Sequence, residues 1–405
     1  MYKKFYDYLN VDWMIPAFML SFGLPRQLQT WLLLFLAFGV LLQSIKNHSS
    51  IKSSEYIIVL LFASLYIPYL ISYLRSDTDV SSCYIGGFLE TKAGLLAVPM
   101  LLIFMLRSKN VSWKKFLPWF VWAVILKMLW AHIMLFSHLN ADLFTLNHVT
   151  YRRLFEQHAQ MHPTSYGVYA GFCIAILFFE AKSMSFWIKG SAYLLLFIST
   201  LMLLPKMPFL ALMFIHLMFI LYANFLSIKK RAIVAGVFVA GLSLLIVFIP
   251  IVKQRVLEFW PASPGTIDNS IQVRKIIFQT DLNLLKAHWL KGLGPYELQR
   301  NLDLAMYFHS TISRQALGTY NTHNEYLNHW LSFGLLGFII LLAVLFIFLF
   351  QALKRKDVLY ISFIVLLSCT FLTENWLSVQ HGVLFFAGFG SLFFMKEKSG
   401  LNRAY

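Results

Sequence analysis

Apolar residues run along this chain in long blocks, separated by short polar or charged clusters. A helix that crosses a bilayer needs about 20 mainly apolar residues. On that measure the blocks predict spans at 9–24, 28–44, 56–74, 86–106, 116–136, 163–180, 187–203, 207–227, 232–252, 325–352, 357–373 and 377–395. The first is weak, because Asp12 lies within it. The span at 187–203 is short, and only Leu204-Pro205-Lys206 parts it from the next. The pattern therefore predicts an all-α polytopic membrane protein with about twelve transmembrane helices. It divides into helices one to nine (1–252), a loop domain (253–324), and helices ten to twelve with a tail (325–405).

Two segments interrupt the apolar pattern on the same side of this map. One is 137–162, which carries Arg152, Arg153, His158 and His162. The other is the long loop 253–324, and loops of that length are usually functional. Within it Ile271, Ile276, Ile277, Leu284, Leu285, Trp289 and Leu290 recur at roughly helical spacing, with Arg274, Lys275, Asp281 and Lys286 between them. That spacing predicts an amphipathic helix over 270–290, lying at the membrane interface. Asp268, Asn269 and Ser270 offer N-caps, and Lys291-Gly292-Leu293-Gly294-Pro295 ends the helix.

Composition agrees with the pattern. Of 405 residues, 59% are apolar and only 13% charged, against about 25% charged in ordinary globular proteins. A soluble enzyme, a disordered chain and a disulfide scaffold are excluded. The net charge of +16 would suggest nucleic acid in a soluble protein. Here it reads as topology, because cytoplasmic loops collect Lys and Arg. The clusters Arg107–Lys115, Lys229–Arg231 and Lys354–Lys356 fall on one face of the map. Both termini are thereby placed in the cytoplasm, with the long loop on the opposite, outer face and no nucleic-acid partner. The N-terminus lacks a cleavable signal pattern. Cys173 and Cys369 lie in apolar runs and Cys83 in a polar loop, with no zinc spacing or disulfide framework.

The strongest chemical pattern opens the tenth span: Tyr320-Asn321-Thr322-His323-Asn324-Glu325, followed by an apolar helix that contains Gly334 and Gly337. His323 sits at the outer mouth, where an imidazole can accept or relay a proton near neutral pH. A polar cap at the interface explains it equally well. Gly334 and Gly337 are three apart, which allows a neighbouring helix to pack closely.

His-Asn, nine residues, Gly, two residues, Gly resembles the signature of the bacterial O-antigen ligase and O-antigen polymerase superfamily. The segment Trp289-Leu290-Lys291-Gly292-Leu293-Gly294-Pro295 is similar to the family's glycine-proline segment in the long outer loop, and Arg274 to its loop-helix arginine. Lys206 looks like the family's mid-chain cation. Many members have Arg there, and Lys binds phosphate as a point charge without the bidentate fork. The resemblance implies transfer of a glycan from an undecaprenyl diphosphate carrier to an acceptor hydroxyl on the periplasmic face of the inner membrane. The acceptor would be lipid A–core for a ligase, a second carrier-linked glycan for a polymerase, or a Ser or Thr side chain for a protein O-oligosaccharyltransferase. It also implies independence of metal and cofactor.

In that reading His323 accepts or positions the acceptor proton, while Arg274 and Lys206 stabilise the departing diphosphate. Asn324, Arg152, Arg153 and His162 bind substrate, and membrane lipids are further partners. Each has a plainer role available. Lys206 can snorkel to the interface, Arg274 can face solvent, and Arg152 and Arg153 can meet headgroups. His162-Pro163-Thr164 can simply start a helix. Glu90 and Lys92 can pair with each other. A transporter of lipid-linked sugars is the rival from another class. Charges gathered at the outer face rather than the midplane, with no visible repeat, favour an enzyme.

Overall fold

Leu, Phe, Ile and Val dominate the predicted spans, and inside a bilayer only a helix satisfies its own backbone polar groups. The computed structural model describes residues 11–47, 53–76, 79–107, 112–137, 148–181, 184–222, 227–248, 252–253, 269–308 and 320–395. Every regular element among them is helical. Asp268 and the cations Lys3, Lys4, Lys52, Lys109, Lys396, Lys398 and Arg403 lie outside the described residues.

The chain divides into two compact units. The first comprises Met1–Gln43, Val111–Pro261 and Lys356–Cys369. It is built from α1 (Val11–Ser21), α2 (Arg26–Asn47), α6 (Leu117–Ser137), α7 (His148–Ala159), α8 (Pro163–Phe179), α9 (Phe186–Leu203), α10 (Lys206–Tyr222), α11 (Ile228–Phe248) and α15 (Val358–Phe371). Helix α8 is its centre, with Pro163 to Leu177 all buried. A helix apolar all round belongs inside a bundle. Phe22, Phe120 and Tyr169 meet edge to face at ring centroid distances of 5.3 to 5.7 Å, the arrangement that aromatic quadrupoles favour. At one end Lys114 bridges Glu180 (2.6 Å) and Asp357 (3.0 Å), which ties the starts of α6 and α15 to the end of α8.

The second unit comprises Ser44–Asn110, Ala262–Arg355 and Thr370–Tyr405. It holds α3 (Ser53–Leu74), α4 (Asp79–Lys92), α5 (Gly94–Arg107), α12 (Asn269–His288), α13 (Pro295–Phe308), α14 (Glu325–Arg355) and α16 (Gln380–Phe394). The predicted loop helix is present as α12. A second one, α13, follows it and packs Leu298, Leu302 and Met306 against Ile277 and Leu331. The loop is thus folded onto α14 by its own apolar stripe. Cys83, expected in a polar loop, instead lies on the helix α4 and is exposed.

The expectation of about twelve spans does not hold. Five described helices are long and apolar enough to cross a membrane: Glu55–Leu74, Asp79–Leu106, Trp113–Ser137, Phe186–Leu203 and Glu325–Arg355. A sixth results if the pair His148–Ala159 and Pro163–Phe179, bent by 74°, counts as one span. Several other apolar runs fold as shorter helices. Val358–Phe371 has 14 residues and Gln380–Phe394 has 15, and at 1.5 Å per residue each reaches only about 21 to 23 Å. Of the run at 9–24, the described helix covers the eleven residues Val11–Ser21. Counting apolar residues overlooked the turns and breaks that divide these runs. Among the described residues the protein is all-α, with several membrane-length apolar helices, as in a multi-pass membrane protein, and fewer full spans than its composition suggests.

Candidate active site

The second unit assembles the site around α14. Asn324 caps that helix, because its Oδ1 accepts from the Leu327 N–H at 3.0 Å. Its Nδ2 donates to the Leu372 carbonyl at 3.2 Å. Asn375 then locks the segment before the helix: its Oδ1 accepts from the Asn324 N–H (2.8 Å) and from the Thr322 hydroxyl (2.9 Å). His323, between these anchors, adopts a left-handed φ of 46°. Its N–H donates to Asn321 Oδ1 at 2.9 Å. A non-glycine residue held there is strained, and such positions cluster at functional sites.

The side chain that organises the site is Glu374. Its Oε2 lies 3.6 Å from His323 Nδ1, and its Oε1 lies 3.5 Å from Arg274 Nη2. One carboxylate thus joins two of the residues singled out on sequence, from α12 and from the mouth of α14. A carboxylate facing Nδ1 favours the tautomer with the proton on Nδ1, which leaves Nε2 as an acceptor. Arg274 is about half exposed and His323 about one-third exposed, so both remain open to a ligand. Glu374 escaped the sequence reading. The available signal was a lone acid in Thr373-Glu374-Asn375-Trp376, between two apolar runs on the face that carries His323.

A buried charged group stands behind Glu374. Lys92 Nζ donates to the Leu377 carbonyl at 2.9 Å and lies 4.3 Å from the centre of the Tyr69 ring. Glu325 accepts from the Leu377 N–H at 2.9 Å and sits 3.2 Å from His329 Nδ1. Lys92, Glu325 and His329 are all buried. Lys92 therefore does not pair with Glu90, which is exposed. It fixes the short turn that follows Glu374 and Asn375.

The glycines act differently from the expected helix-face contact. Gly334 breaks α14 with φ 69° and ψ −166°, and the loop segment 290–294 enters the break. Leu293 and Gly294 donate to the carbonyls of Leu331 (2.7 Å) and Ser332 (2.9 Å), and Leu335 donates to that of Leu290 (3.2 Å). Hydrogen bonds that the broken helix lacks are replaced by bonds to the loop. A Cβ on Gly334 would lie 2.1 Å from the Leu290 oxygen, and one on Gly292 2.4 Å from the Gly334 nitrogen. The two glycine motifs are therefore halves of one backbone junction. Gly337 packs within its own helix, where a Cβ would meet Phe333 and the His329 carbonyl.

The model of the family described as O-Antigen ligase matches residues 191–342. That stretch contains Lys206, Arg274, His323, Asn324 and the glycine junction. Over those residues the chain is similar to that family. No curated protein matches the chain.

The remaining residues singled out on sequence belong to the first unit. Lys206 starts α10, is partly buried, and follows Pro205, which packs against Gly167 so closely that a Cβ there would fall 2.3 Å from the Pro205 ring. His162 is exposed and caps α8, with Nδ1 accepting from the Thr164 N–H at 3.3 Å and Pro163 at the first helical position. Arg152 is partly buried and Arg153 exposed, both on α7. Among the described residues no group of three His, Cys, Asp or Glu side chains gathers in a way that could hold a metal ion.

Proposed function

We propose that the protein moves a glycan from undecaprenyl diphosphate to a hydroxyl of lipid A–core at the periplasmic face, with both termini in the cytoplasm. The observation that carries this reading is the line Arg274, Glu374, His323. In the transfer, the acceptor oxygen forms a bond to the anomeric carbon as that carbon's bond to the diphosphate oxygen breaks. The leaving diphosphate keeps the electron pair. The hydroxyl proton passes to Nε2 of His323, whose Nδ1–H faces Glu374. Arg274 offsets the charge that grows on the leaving group, an electrostatic contribution that counts most where water is scarce. Asn321 holds the backbone N–H of His323, and Asn324 anchors the next position through Leu372 and Asn375. No step is assigned to Lys206, Arg152, Arg153 or His162, which belong to the first unit.

The test is transfer by the purified protein in detergent, with a polyprenyl diphosphate-linked glycan and separate acceptors: lipid A–core, a second carrier-linked glycan, and a Ser/Thr peptide. Product only with lipid A–core is expected, together with its loss in His323→Ala at unchanged yield and melting temperature. Transfer by His323→Ala at the wild-type rate would overturn the reading, as would product only with another acceptor. Transfer without a gradient or second compartment excludes pure transport.

A further inference from the structure

A groove of about 730 Å³ lies beside the glycine junction, on residues the transfer chemistry does not use. That volume suits a ligand the size of a lipid headgroup and the start of its chains. Its lining combines two chemistries. Arg75, Lys291 and Arg300 are among the lining residues, with Glu297 as the acidic side chain. Glu297 sits 3.5 Å from Arg300, so the charged lining is net positive. Ile71, Leu336 and Ile340 also line it.

The apolar wall belongs to helices of membrane-crossing length, Glu55–Leu74 and Glu325–Arg355. Ile71 is 43% and Leu336 67% exposed, so in a bilayer they face hydrocarbon. Arg75 follows the last residue of its span directly. From Ile71 to Arg75 is one helical turn, about 6 Å of rise. The groove therefore crosses the boundary between hydrocarbon and headgroup at the depth where a lipid phosphate lies. Three backbone donors on the rim are already committed: Gly292, Leu293 and Gly294 donate to the carbonyls of His288, Leu331 and Ser332. The cationic side chains are the charged groups that can meet a bound anion.

We infer that this groove binds a phosphate-bearing, net-anionic lipid, with its phosphate among Arg75, Lys291 and Arg300 and a chain along Ile71, Leu336 and Ile340. The lipid docks against the junction that joins the loop to α14, and its binding is read without any glycan transfer.

The experiment is native mass spectrometry of the full chain from detergent, titrated with phosphatidylglycerol, phosphatidylcholine or inorganic phosphate. Wild type is expected to retain phosphatidylglycerol over phosphatidylcholine. Arg75→Gln should weaken phosphatidylglycerol about tenfold, the loss of one charge-assisted contact, and the triple variant with Lys291→Gln and Arg300→Gln should abolish the preference. All three side chains are exposed, so their variants should keep the wild-type melting temperature. Leu336→Trp, which fills the apolar wall, should also expel the lipid. Equal retention of phosphatidylglycerol by wild type and triple variant would overturn the inference. So would displacement by inorganic phosphate with no effect of Leu336→Trp, which would mark a site for free anions. Loss of transfer in His323→Ala with lipid retention intact separates this groove from the catalytic reading.

Discussion

The Glu325 carboxylate accepts a hydrogen bond of 2.9 Å from the Leu377 N–H. Lys92 takes the carbonyl of the same residue, also at 2.9 Å. Two buried, opposite charges thus grip both polar groups of one residue in the turn next to Glu374. They also feel each other electrostatically. Burying a charge is costly unless it is paired and hydrogen-bonded, and here each is.

Removing one partner leaves the other uncompensated. Lys92→Met should destabilise the protein by about 3–5 kcal/mol. Glu325→Gln should do the same, and the double variant should lose much less than the sum. Unfolding of the four proteins in detergent completes this double-mutant cycle. Additive losses would mean that the two residues act separately.

Glu374 should matter through His323. Glu374→Gln keeps the shape but loses the charge that orients the imidazole, and should lower transfer about 100-fold. Glu374→Gln combined with His323→Ala should be no slower than His323→Ala alone, because residues acting as a unit are not additive. Initial rates of glycan transfer measure both. A further drop in the double variant would give Glu374 an independent role.

The two positive-φ glycines at 294 and 334 make a matched pair. A Cβ at Gly334 collides with the Leu290 backbone, whereas one at Gly294 meets nothing within 4 Å. Gly294→Ala should cost only the left-handed backbone strain, about 1–2 kcal/mol. Gly334→Ala must also expel segment 290–294, and should lower the melting temperature further and open that segment to protease. Equal effects would contradict the junction.

Asp281 on α12 predicts a pH dependence of stability. It is buried, and among the described residues neither carboxyl oxygen has a hydrogen-bond partner. Burial pushes its pKa up to about 8, from an ordinary 3.8. Between those values the folded protein keeps a proton that the unfolded chain releases, so this residue's contribution to stability falls from about pH 4 to about pH 8 and then levels off. Asp281→Asn should melt higher than wild type at pH 8 and nearly the same at pH 4. Thermal unfolding across that range measures the difference.

Sequence alone determined the local features of this protein. The spacing of Ile277, Leu284 and Leu285 placed a helix at 270–290, found at Asn269–His288. The polar cluster before Glu325 marked the mouth of a long apolar helix, found at Glu325–Arg355. Both follow from side-chain periodicity, which is written in neighbouring residues. Full spans were less legible, since an apolar run does not record where its helix stops. Only the tertiary structure decided which distant groups meet. Glu374 is 51 residues from His323 and 100 from Arg274 in the chain, yet one carboxylate serves both. Gly334 read as a packing residue, and became a break because the backbone of 290–294 replaces its lost hydrogen bonds. Such partners depend on distances set by packing, and periodicity does not encode them.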